Sequence, residues 1–142
     1  MAGFSDYLEI QILTNVFHTG DYSSTLAIAL LTSPAIDSEN GTFSGPGVEV
    51  PNTAGYQRQL LNPSSSNWSV STDGTGTARN IVPIVFPAAS GDWGAIVGMA
   101  ITENDVYGAG NVLFYGALEV SKTIGVSDTF RFAPGDLSIT ID

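Results

Sequence analysis

The sequence predicts a mainly β protein: an antiparallel β-sandwich of jelly-roll type with one short N-terminal helix. Three observations carry this expectation. Short apolar or alternating runs recur from Thr25 to Ile141, each bounded by clusters of Gly, Pro, Asn and Asp, as in strands joined by tight turns. The 16 glycines and 7 prolines supply the left-handed and fixed-φ positions that such turns need. No helical periodicity alternates with the runs, which excludes a doubly wound parallel sheet. The expected organisation is a helical segment or arm over residues 1–20 and a β-sandwich domain over 21–142.

The helix comes first. Ser5 suits the N-cap, and Asp6 and Glu9 place acids at the positive end of the helix dipole. Leu8, Ile12, Leu13, Val16 and Phe17 recur at three- and four-residue spacing and form one apolar stripe. His18-Thr19-Gly20 ends the segment, with Gly20 expected just past the C-cap. A helix of about 13 residues is marginal alone in water. Its stripe must therefore dock on its own domain or on a neighbouring subunit.

Strands are expected at 25–32, 56–61, 68–71, 81–86, 93–102, 112–118, 119–124, 129–132 and 137–141. Pro83 marks its run as an edge or a bulge, because proline donates no ladder hydrogen bond. Gly94 and Gly98 mark the following run for bending or close packing. Residues 37–51 read as a long loop with a short strand near Val48 to Val50. Turn clusters fall at 62–67, 73–77, 87–92, 126–128 and 134–136, and a loop at 103–111.

Charge narrows the function. Fourteen acids against four bases give a net charge of −10. Nucleic-acid binding needs a basic stripe, yet Arg58, Arg79, Lys122 and Arg131 are scattered singly. An anionic membrane would repel the chain, and no apolar run approaches the roughly 18 residues of a spanning helix. No basic segment followed by an apolar stretch opens the chain, so no secretory signal is expected, and synthesis in a reducing cytoplasm suits the chain. Cysteine is absent, which excludes disulfides and thiolate chemistry.

No catalytic set stands out. The one histidine, His18, sits at a helix end, where a cation suits the dipole better than it suits a triad. A single histidine excludes a multi-histidine zinc site. Asp73 to Thr77 and Glu103-Asn104-Asp105 offer oxygen ligands, but neither follows the calcium-loop pattern, and turn-forming Asp and Asn explain both. No cofactor and no metal are expected. Among the aromatics, Trp68, Trp93, Tyr22, Tyr56, Tyr107 and Tyr115 could form a sugar platform or, more commonly, fill a core. Tyr107, in the 103–111 loop, is the best candidate for exposed ligand contact.

Six stretches together resemble a known family. Phe4-Ser5-Asp6-Tyr7-Leu8-Glu9, LAIALLTS at 26–33, GYQRQ at 55–59, VFPAASGDWG at 85–94, NVLFYGAL at 111–118 and FAPGDL at 132–137 resemble short phage virion proteins often labelled tail-fibre-like. The chain is also similar to cement, or decoration, proteins on the heads of some tailed phages, cyanophages among them. The likeness spans almost the whole chain, and the long loop at 37–51 departs from it. It implies a non-enzymatic virion protein located on the phage head surface. The expected partners are the major capsid protein, whose subunits it would bridge, and itself, as a homotrimer. Phe4, Tyr7, Leu8 and Ile12 are the expected docking residues, and Tyr107 a further partner contact. The alternative is a tail-fibre or receptor-binding module that recognises host carbohydrate through the loops at 37–51 and 103–111. A small β-sandwich enzyme using paired carboxylates is a poor third.

Overall fold

A computed structural model describes residues 2–33, 49–71 and 76–141. The expected loop at 37–51 and the turn at 73–77 lie largely outside them. The described chain is mainly β: one helix and nine strands in antiparallel sheets. It divides into two compact units.

The first unit gathers residues 1–25, 61–84 and 132–142. Helix α1 runs Asp6–Phe17, and the Ser5 side chain accepts from the Leu8 N–H as N-cap. His18 is the C-cap. Gly20 lies two residues further on, in the left-handed region at φ 69°. Strands β3 (Trp68–Val70), β4 (Thr77–Asn80) and β9 (Ser138–Thr140) form a sheet in the order β3-β4-β9. Trp68 pairs with Asn80, and Val70 with Ala78, which faces Ile139. The two-residue pleat puts these side chains on one face. Helix α1 packs against β3 and β4, with Leu13, Val16 and Phe17 buried. The Phe17 and Trp68 rings lie 4.6 Å apart.

Asn80 is the polar anchor of this unit. Its Nδ2 donates to the carbonyls of Val82 and Ala133, at 2.8 and 3.0 Å. Its Oδ1 accepts from the Leu137 N–H at 3.0 Å. One buried amide thereby replaces water for three backbone groups.

The second unit gathers residues 26–60 and 85–131. Strands β1 (Ala27–Leu31), β2 (Gln59–Leu60), β6 (Gly94–Thr102) and β7 (Val112–Ile124) form a sheet in the order β2-β1-β6-β7. All five β1 residues are buried. The run is therefore continuously apolar, because it is covered on both faces. Gly98 sits where a Cβ would lie 2.8 Å from the Gly116 carbonyl oxygen, so β6 and β7 meet closely only because it is glycine. Between the pairs Ile96–Lys122 and Gly98–Ala117, Val97 alone opposes residues 118–121, an enlarged bulge. An aromatic cluster fills this unit: Tyr56 stacks on Phe86 and meets Trp93 edge-on, and Phe86 meets Phe130. Strands β5 (Ile84–Val85) and β8 (Arg131–Phe132) make a separate two-stranded sheet.

Several boundaries differ from the sequence reading. Strand β4 occupies 77–80, between the turn expected at 73–77 and the run expected at 81–86. The run at 81–86 contributes only Ile84–Val85, because residues 81–83 bend around the Asn80 amide and Pro83 donates no N–H. The run at 56–61 pairs only over Gln59–Leu60. The stretches at 112–118 and 119–124 are one strand, β7, interrupted by its bulge.

Candidate functional site

The second unit builds one densely bonded site, centred on a buried ion pair. Arg58 precedes β2, and Glu49 makes an isolated bridge to Leu31 at the end of β1. Arg58 Nε donates to Glu49 Oε1 at 2.8 Å, and Nη2 donates to Oε2 at 2.9 Å. Both residues are buried. This fork geometry suits a planar guanidinium and no other cation. The remaining lone pairs are also used. Tyr56 donates its hydroxyl to Glu49 Oε1 at 2.9 Å, and the Gly108 N–H donates to Oε2 at 3.2 Å.

The third arm of Arg58 reaches the loop between β6 and β7. Nη1 donates to the carbonyls of Asn104 and Ala109, at 3.0 and 2.8 Å, and to Thr102 Oγ1 at 3.2 Å. A single side chain thus holds both flanks of loop 103–111. The loop adds its own bonds. Asn104 Oδ1 accepts from the Val106 N–H, and Glu103 Oε1 accepts from the Asn111 side chain and N–H. The oxygens of Glu103 and Asn104 therefore serve turn formation. Gly110, at φ 81°, passes so close to Asn104 that a Cβ would fall 2.6 Å from its amide.

This framework displays Tyr107. Its ring meets Tyr56 edge-on, with centroids 6.1 Å apart, yet it is 40% exposed, next to Val106 at 59%. Partial burial, then the Glu49 charge, raises the Tyr107 phenol above its ordinary range; Arg58 and the Asn52 backbone N–H pull the other way. Tyr56 is shifted upward far more strongly, by burial first and the Glu49 charge second. Both phenols stay protonated at neutral pH.

The other expected contact residues belong to the first unit. Phe4, Tyr7 and Leu8 are 52%, 73% and 43% exposed, and Ile12 is half-buried. The opposite side of the same helix carries buried Glu9, Leu13, Val16 and Phe17. The helix therefore docks on its own unit with one face and leaves a second apolar face outward. His18 is structural, with its Nε2 bonded to the Trp68 carbonyl at 2.8 Å. Trp68, Trp93 and Tyr56 are core residues, whereas Tyr22 and Tyr115 are exposed.

Sequence reasoning placed Tyr107 in an exposed loop, where the structure has it, but missed the Arg58–Glu49 pair that braces that loop. The available signal was slight: Arg58 stands in an apolar-flanked run, where a charge needs a buried partner.

A search of curated proteins finds no match. Among family models, the one described as "Podophage GP4 fiber I protein gp80" matches residues 3–140, nearly the whole chain. That name denotes a virion structural component, in line with the resemblance read from the six stretches, and leaves head and tail as separate questions. The chain belongs to this podophage fibre protein family.

Proposed function

We propose that this protein is a fibre-type virion subunit that meets host-surface carbohydrate through loop 103–111, with Tyr107 as the principal contact. The observation that carries the reading is the bracing of an exposed aromatic by a buried ion pair, Arg58 to Glu49. A sugar stacks its apolar C–H face on an aromatic ring. A ring already held in place loses little freedom on binding, so more of the contact energy appears as affinity. The raised Tyr107 phenol keeps its proton as a hydrogen-bond donor. Asp105, exposed in the same loop, adds an acceptor for sugar hydroxyls. One such contact is weak, and many copies on a particle supply avidity.

The test is adsorption of purified chain to host cells, with and without the Tyr107→Ala substitution. The reading expects at least a tenfold loss of cell binding in a variant that stays folded. Unchanged cell binding overturns it. Binding of the chain to expanded heads lacking it, at symmetric positions and without any cell binding, would overturn it in favour of capsid decoration, in which the chain bridges major capsid subunits.

A further inference from the structure

We propose that the outward face of α1 is the seat by which this chain attaches to a larger virion protein, and that the partner offers an apolar groove with a basic rim. The proposal rests on membership of a virion family but not on the carbohydrate reading.

The helix is two-faced in a way its own unit does not require. Leu13, Val16 and Phe17 already bury the face that packs on β3 and β4. A helix of 12 residues needs one such face to stay folded. Tyr7 and Leu8 stand exposed in the first turn and Phe4 just before the N-cap, and half-buried Ile12 follows Leu8 one turn on. Tyr7 to Ile12 spans about 7.5 Å along the axis at 1.5 Å per residue. Tyr7 is the most exposed aromatic among the described residues. Half-buried Gln11 and exposed Asn15 follow Tyr7 at four and eight positions, so the face turns polar toward the helix C-terminus. An apolar centre with a polar margin is the anatomy of a protein contact.

Charge and area identify the occupant. Among the described residues the first unit carries Asp6, Glu9, Asp21 and Asp136 against Arg79 alone. Two copies meeting face to face would bring like charges together, whereas a basic rim would attract them. The exposed portions of Phe4, Tyr7 and Leu8 amount to roughly 300–400 Å², given about 150–250 Å² for a whole aromatic. That falls below the roughly 800 Å² per partner of a stable free interface. The face is too small to hold a dimer of this chain in dilute solution. It is large enough to seat a helix in a groove on an assembled particle, where repeated copies add avidity.

The test uses phage carrying Tyr7→Asp with Leu8→Asp, and compares copies of this chain per purified particle by quantitative mass spectrometry. The double variant is expected to fall at least tenfold in copy number, while the purified variant melts at the wild-type temperature. Wild-type particles are expected to release the chain progressively as salt is raised. Should the double variant melt early, Tyr7→Ser alone, at a mostly exposed position, carries the same expectation. Wild-type copy number in a folded variant overturns the proposal. A wild-type dimer in sedimentation that Tyr7→Ser abolishes also overturns it, in favour of self-association. Tyr107→Ala particles are expected to keep full copy number, which separates attachment from cell binding.

Discussion

Removing the Arg58 guanidinium should cost the second unit about 4 kcal/mol. In Arg58→Ala, Glu49 stays buried and keeps only the Tyr56 hydroxyl and the Gly108 N–H. Breaking one partner from a buried, hydrogen-bonded ion pair costs about 3–5 kcal/mol. The Ala109 carbonyl also loses its Arg58 donor and the Asn104 carbonyl keeps only the Thr102 hydroxyl, but water can reach an exposed loop, so they add at most about 1 kcal/mol each. A loss of 4 kcal/mol is roughly a thousandfold in the folding equilibrium. For a chain of this size it should lower the melting midpoint by roughly 10–20 °C. Arg58→Lys should recover little, because a single ammonium cannot span Glu49 and both loop carbonyls. The double variant Glu49→Leu with Arg58→Leu should be far closer to wild type in stability, since it leaves no unpaired buried charge. It should nevertheless speed hydrogen exchange at Gly108, whose N–H acceptor is gone. Denaturant unfolding with exchange mass spectrometry reads both quantities. A loss under about 1 kcal/mol in Arg58→Ala, or exchange at Gly108 unchanged in the double variant, would refute the bracing argument.

Three further outcomes follow from the packing. Gly98→Ala drives a Cβ to 2.8 Å from the Gly116 carbonyl and should destabilise by about 1–3 kcal/mol, read by chemical denaturation. Asn80→Leu strands the Val82 carbonyl and the Leu137 N–H and leaves the Ala133 carbonyl only the Asp136 N–H, and should cost about 2–4 kcal/mol; Asn80→Asp should not restore stability, because a carboxylate cannot donate. Stability should fall at alkaline pH. Tyr56 titrates at a higher pH folded than unfolded, so its contribution is complete below about pH 10. Above that it is lost, at up to about 1.4 kcal/mol per pH unit. Tyr56→Phe should flatten the alkaline limb, as measured by unfolding at stepped pH.

The helix was legible because its information is local. Ser5, Asp6 and the spacing of Leu13, Val16 and Phe17 all lie within four residues of the groups they serve. Leu8 and Ile12 were read into one stripe with Leu13, Val16 and Phe17, yet Leu8 stands exposed and Ile12 half-buried, since spacing alone cannot say how much of a stripe a unit covers. Strands β1, β6 and β7 announced themselves through length and apolar content. Strand β4 did not, because Thr-Ala-Arg-Asn is unremarkable until Ala78 faces Val70 and Ile139 across the sheet.

The sequence by itself determined the mainly β class, the single helix, the acidic surface charge and the resemblance to phage virion proteins. Each of these is a property of composition, period or residue order. It also marked Tyr107 as a residue in a polar, glycine-bearing loop. Tertiary structure alone decided that this loop is held rather than merely connected. The pairing of Glu49 with Arg58 depends on β1, β2 and β6 lying side by side, which joins residues 27–31 to 59–60 and to 98–102. Such contacts reward the chain only after long loops have closed, and no local pattern encodes them. The same physics divided the aromatics, placing Trp68, Tyr56 and Trp93 in cores and leaving Tyr7 and Tyr107 at the surface.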